Sequence, residues 1–192
     1  MVPSKKNRKT ANLWKVLSPI LIILAFVIAG LMFIKFEMTN SPRKSASTAI
    51  QVGATLPNFV LTRLDNTGIQ ISEVKAKVIL LNFWATWCEA CISEMPSIVQ
   101  LRQKFRSQGF EALGVNLDEN PEKAVPQITQ QIHIDFPVFK DPDGKVADLF
   151  DVHAIPLTVI IDSQRKILFL RDGELNWNTP AIHSQIERWL SQ

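Results

Sequence analysis

The sequence predicts an α/β domain built on a mixed sheet, carried behind one N-terminal apolar helix. Three observations predict it. An uncharged apolar run of 19 residues, 16–34, stands near the start. Beyond it, strand-like and helix-like segments alternate, and two adjacent strand-like runs come late. The only two cysteines, Cys88 and Cys91, sit three positions apart where an apolar run gives way to a helical pattern.

The N-terminal run, as a helix rising about 1.5 Å per residue, would reach roughly 28 Å, close to the hydrocarbon thickness of a bilayer. Lys5, Lys6, Arg8, Lys9 and Lys15 precede it, and fewer cations follow. That asymmetry predicts a cytoplasmic basic tail over residues 1–15, a transmembrane signal anchor over 16–34 and an exported remainder. A cleavable signal peptide is the competing reading. Its apolar core is normally shorter and soon followed by small residues, whereas Lys35-Phe36-Glu37-Met38 follows here. Residues 35–52, with a Ser/Thr/Pro-rich stretch at Asn40–Ala49, read as a linker. Residues 53–192 are long enough for one domain with its own core.

Charge divides at the same place. Residues 1–49 carry a net +7 and residues 50–192 a net −4. The basic isoelectric point belongs to the membrane-proximal part, so it gives no ground for nucleic-acid binding.

In order, Phe59–Thr62 and Ile69–Ile71 flank Asp65-Asn66-Thr67-Gly68 as a hairpin. Val78–Trp84 is apolar without alternation, as a central strand covered on both faces should be. A helix opens at the cysteines and continues through Phe105, with a kink expected at Pro96. Phe110–Leu117 is the next strand. Asn120 and Pro121 are a cap and first residue for a helix toward Ile132. Asp141-Pro142-Asp143-Gly144 turns into a short helix ending at Phe150. Leu157–Ile161 and Lys166–Leu170 are spaced for antiparallel pairing. Ile182, Ile186, Trp189 and Leu190 give a terminal helix one apolar face. The cluster Asp118–Glu122 reads as a solvated loop with helix-start chemistry.

Cys-x-x-Cys on a strand-to-helix turn is a redox dithiol, since sulfurs at this spacing can join and separate. A half zinc site would need two more ligands, and His133, His153 and His183 are scattered. A purely structural disulfide closing so short a loop would add little stability. Cys88, at the helix N-terminus, is expected to attack, because unpaired amides and the helix dipole favour its thiolate. Cys91, one turn deeper, is the resolving thiol. Glu94 lies three residues on, shares the Cys91 face, and is the candidate proton acceptor. Glu89, an acid beside Cys88, disfavours the thiolate and so the reduced form, which predicts a reducing protein. Trp87 borders the outer sulfur.

The segments Asn82-Phe83-Trp84-Ala85-Thr86-Trp87-Cys88-Glu89-Ala90-Cys91, Glu94-Met95-Pro96 and Phe150–Asp162 resemble the thioredoxin superfamily, in particular its membrane-anchored TlpA/ResA/CcmG-type thiol-disulfide oxidoreductases. The similarity covers roughly residues 51–190. It implies a thioredoxin-like fold, a functionally important glutamate at Glu94, and a cis peptide at Pro156 that leaves backbone groups of Ile155 free for an extended substrate. The sequence departs from relatives at Asn82 (Asp in general thioredoxins), Ala90 (often Pro) and Leu157 (often Thr).

The resemblance implies reduction of protein disulfides outside the cytoplasmic membrane, with apocytochrome c as a client in cytochrome c maturation and a membrane thiol carrier as electron donor. No cofactor and no metal are expected. A thiol peroxidase is a second reading, disfavoured by Ala85 where such enzymes place Thr. A copper(I)-holding thiol module is a third, lacking an evident Met or His ligand cluster.

Overall fold

The computed structural model describes residues 50–192, together with Phe26, Ile28–Gly30 and Met32. The transmembrane reading of 16–34 lies for the most part outside the described residues; the five of its residues that are described are helical. Among the described residues no helix is long and apolar enough to cross a membrane.

Seven strands form one mixed sheet in the order β2-β1-β5-β4-β3-β6-β7. They are β1 (Val60–Arg63), β2 (Gly68–Gln70), β3 (Val78–Trp84), β4 (Phe110–Asn116), β5 (Val138–Lys140), β6 (Leu157–Asp162) and β7 (Ile167–Asp172). The helices are α1 (Glu89–Phe105), α2 (Pro121–Gln131), α3 (Lys145–Leu149) and α4 (Pro180–Leu190). β3 pairs parallel with β4 and antiparallel with β6, and β4 pairs parallel with β5. β1 pairs antiparallel with both β2 and β5, and β6 antiparallel with β7. The α/β class with a mixed sheet is therefore present.

All seven residues of β3 are buried, as its unbroken apolar run requires. Period-two geometry splits them between two faces. Val78, Leu80 and Trp84 pack with Met95, Ile98 and Phe105 of α1 and with Ile186 and Leu190 of α4. Ile79, Leu81 and Phe83 pack with Leu61, Phe139, Val146 and Phe150. Asn82 shares the α1 face by the same alternation, a polar side chain among hydrocarbon.

α1 runs through Pro96 without ending. Its C-terminal half is tied to β4 by buried Arg102, which pairs with Glu111 and reaches Asp135. Three expectations need correction or addition. Asn120 occupies the N-cap of α2, yet its side chain accepts no capping bond. β5, the three residues that directly follow Pro137, has no counterpart in the sequence reading, being too short to show a period. The Asp118 loop is not simply solvated, because the Asp118 carboxylate is buried under the active-site turn.

Candidate active site

β3 delivers the chain to one end of the sheet, where Ala85–Trp87 turn it into α1. Cys88 is the N-cap of α1, with extended backbone. Its Sγ accepts a hydrogen bond from the Cys91 amide at 3.2 Å. That donor stands where a Cys88 thiolate would need it. Cys88 and Cys91 are joined as a disulfide, S–S 2.08 Å. The two sulfurs are unequal: Cys88 keeps 8% of its surface exposed and Cys91 none. Of the two sulfurs, Cys88 is therefore the one an incoming sulfur can reach in this closed state.

The turn is held from beneath. Asp118 Oδ2 accepts from the Thr86 amide at 3.1 Å and from Asn116 Nδ2 at 2.9 Å. Thr86 Oγ1 donates to Asp118 Oδ1 at 3.2 Å. In the sequence Asp118 reads only as part of a solvated acidic loop, and Thr86 only as part of the cysteine motif. Their contact spans 32 positions, so no local pattern could announce it; Asn116 joins it from two residues before Asp118.

On the outer side Trp87 is 73% exposed. It lines a groove of about 380 Å³ with Leu117, Val152, His153, Ala154 and Ile155. Ile155–Pro156 is cis. The Ile155 carbonyl lies 3.8 Å from Cys88 Sγ, a contact that can become a hydrogen bond only when Cys88 carries a thiol proton. Neither the amide nor the carbonyl of Ile155 joins the backbone hydrogen bonds of the described residues. Trp87 precedes Cys88 in the chain and Ile155 reaches its sulfur, while Pro156 contributes the cis bond that follows Ile155. Of the three histidines only His153 reaches the groove, with Nε2 3.2 Å from Asp151 Oδ1.

On the inner side Glu94 is buried, 2% exposed. Its Oε1 accepts from Asn82 Nδ2 at 2.7 Å. Its Oε2 accepts from the Leu175 amide at 3.1 Å and from Trp177 Nε1 at 3.2 Å. Asn82 Nδ2 also donates to Thr158 Oγ1 at 2.9 Å. Burial is the main influence on this carboxyl and pushes its pKa up. The three hydrogen bonds oppose that without cancelling it, and the charge of Glu174 adds to the rise. A buried acid held above its ordinary value is suited to taking a proton from a neighbouring thiol. Leu175 and Trp177, 81 and 83 positions away, were invisible in sequence. Glu89 is exposed at the first residue of α1, where solvent weakens its field at Cys88.

A family model described as AhpC/TSA matches residues 52–169. The chain belongs to the AhpC/TSA family. Among its relatives, the thiol-disulfide oxidoreductase ResA of Bacillus subtilis (strain 168) is 33% identical over 153 residues, spanning 80% of this chain and 83% of that protein. ResA of Oceanobacillus iheyensis is 32% identical over 176 residues, 90% of this chain and 88% of that protein. A DsbE thiol:disulfide interchange protein from Chlorobium tepidum has a crystal structure that superposes with a TM-score of 0.66 at 29% identity, covering 73% of this chain and 99% of that one. The thioredoxin-like fold and the ResA-like resemblance carried by the Cys88–Cys91 segment therefore hold. With its dithiol closed at the start of α1, this AhpC/TSA-family chain is a protein thiol-disulfide oxidoreductase.

Proposed function

We propose that the protein works as a reductase of protein disulfides outside the cytoplasmic membrane, held there by residues 16–34 with its N-terminus in the cytoplasm. Its client is the Cys-x-x-Cys pair of apocytochrome c before heme attachment, and a membrane thiol carrier returns electrons to it. The observation that carries the reductase reading is the unequal pair of sulfurs, Cys88 partly exposed next to the Trp87 and Ile155 that line the groove and Cys91 fully buried three residues before buried Glu94. The apolar run and the charge asymmetry around it support the anchor, and an anchor raises the concentration of the domain near membrane-bound clients.

The reaction follows from these positions. A Cys88 thiolate attacks one sulfur of the client disulfide, breaking that S–S bond and forming a Cys88–client mixed disulfide; the freed client thiolate takes a proton. Cys91 passes its proton to Glu94 and attacks Cys88 Sγ. The mixed disulfide breaks and the second client sulfur leaves with the electron pair. Two electrons have moved to the client, and the protein is left in the closed state described here. An electron-donor dithiol reopens it by the same two steps in reverse.

Replacing Cys91 by Ala in intact membranes should strand the client on Cys88. Recovery of an apocytochrome in that adduct is the expected result. Adducts formed only with other exported proteins would refute the client, and adducts only with cytoplasmic proteins would refute the location.

A further inference from the structure

The segment after β7, residues 173–178, is laced to α1 by polar contacts at successive turns. Glu174 Oε1 accepts from Ser93 Oγ at 2.6 Å. The Leu175 amide and Trp177 Nε1 donate to Glu94 Oε2, and the Trp177 amide donates to Ser97 Oγ at 3.0 Å. Trp177 itself is fully buried, edge-on to Phe169. Neither partner of Oε2 can accept a hydrogen bond: a backbone N–H and an indole N–H only donate.

Oε1 faces different chemistry. Its partner Asn82 carries both an N–H donor and an acceptor oxygen, and Asn82 Oδ1 is buried without any hydrogen-bond partner. Thr158 Oγ1, on the other side of Asn82, can donate or accept. The groups acting on Glu94 are thus Glu174 and the two donors from the 173–178 segment, and neutral Asn82 from the sheet with Thr158 behind it; Cys91 lies three residues before it on the same helix, a spacing that puts the two side chains on one face.

We infer that Trp177 and the Leu175 amide are positioning groups that hold Glu94 Oε2 as a permanent acceptor, so that the proton given up by Cys91 is received on Oε1. A proton on Oε2 would point at two donors. On Oε1 it meets Asn82, which turns its amide by half a rotation to present the unpartnered Oδ1, while Thr158 switches from accepting to donating. In the step itself the Cys91 S–H bond breaks, its proton goes to Oε1, and the sulfur electron pair forms the bond to Cys88 Sγ as the client sulfur departs. The inference deepens the reading of Glu94 as proton acceptor and rests on it.

The test uses the reduced full-length protein and Ellman's reagent. Attack by Cys88 releases one thionitrobenzoate, and displacement by Cys91 releases a second, so the two steps separate in one trace. For Trp177→Phe the midpoint of the second release against pH should move up by about one unit, with a roughly tenfold loss on the acid side and the first release unchanged. Benzothienylalanine at position 177, which keeps the indole shape without its N–H, should do the same and serves if the Phe variant folds poorly. The Asn82 side-chain amide protons should shift in nuclear magnetic resonance spectra with the wild-type midpoint; if they do not move with pH, the amide does not turn. Unchanged profiles at position 177, with Glu94→Gln still slowing the second release, would overturn the positioning role and leave Glu94 as the acceptor. No effect from Glu94→Gln either would overturn both. Equal slowing of both releases would mean that position 177 matters only for folding.

Discussion

The two sides of the disulfide are built on opposite principles. Outside Cys88, an exposed indole, a shallow groove and the free backbone of Ile155 offer shape and few committed hydrogen bonds. Inside Cys91, every Glu94 oxygen is spoken for by groups from β3 and the segment after β7. The outer side must accept different chains and release them. The inner side must do one thing, move one proton, and is preorganised for it. The difference assigns partner choice to one face and rate to the other.

Substitutions should separate those assignments, beginning with the largest effect. Cys88→Ser should abolish disulfide exchange in an insulin-reduction assay, whereas Cys91→Ala should still form mixed disulfides without resolving them. Glu94→Gln should slow resolution by about 10²-fold at neutral pH while leaving Cys88 attack intact, the usual scale for losing a positioned base. Equal slowing of both steps would erase the contrast.

The same variant carries a stability signature. The Glu94 pKa is raised above its ordinary 4.5, mainly by burial. Its contribution to folding is therefore fully present below pH 4.5 and lost as pH rises through the folded value. Glu94→Gln should accordingly melt higher than wild type at neutral pH, and the advantage should shrink as the pH falls toward 4.5. A melting difference independent of pH would contradict this.

Asp118→Ala should cost about 2–3 kcal/mol in urea unfolding, because it leaves the Thr86 and Asn116 donors unpaired beneath the turn. Trp87→Ala should leave stability within about 0.5 kcal/mol but raise the KM for a client peptide several-fold. Glu89→Gln should do least, raising the reduction potential by about 10 mV, since an exposed acid acts on the thiolate only through solvent.

How much of this was legible in the sequence follows the range of the interactions. β3 announced itself because a strand buried on both faces leaves an unbroken apolar run. α4 did so because Ile182, Ile186 and Leu190 recur on one helical face. The dithiol needed only the spacing of two residues, and Glu94 only its helical distance from Cys91. The exposed Trp87 could be placed by its neighbour. What the sequence could not show are contacts between distant segments. Asp118 looked like one of several loop acids until the fold brought Thr86 above it. β5 is a strand only because β4 and β1 flank it. Trp177, one of five tryptophans, gains its meaning from a carboxylate in another element.

The division of labour between the sulfurs is tested most directly by differential alkylation of the freshly reduced protein, each cysteine followed by mass spectrometry across a pH series. Cys88 should be modified first at every pH, with Cys91 lagging by at least about tenfold, in line with the burial of its sulfur and the helix-end donor at Cys88. Equal rates, or faster modification of Cys91, would contradict the assignment of attacking and resolving thiols.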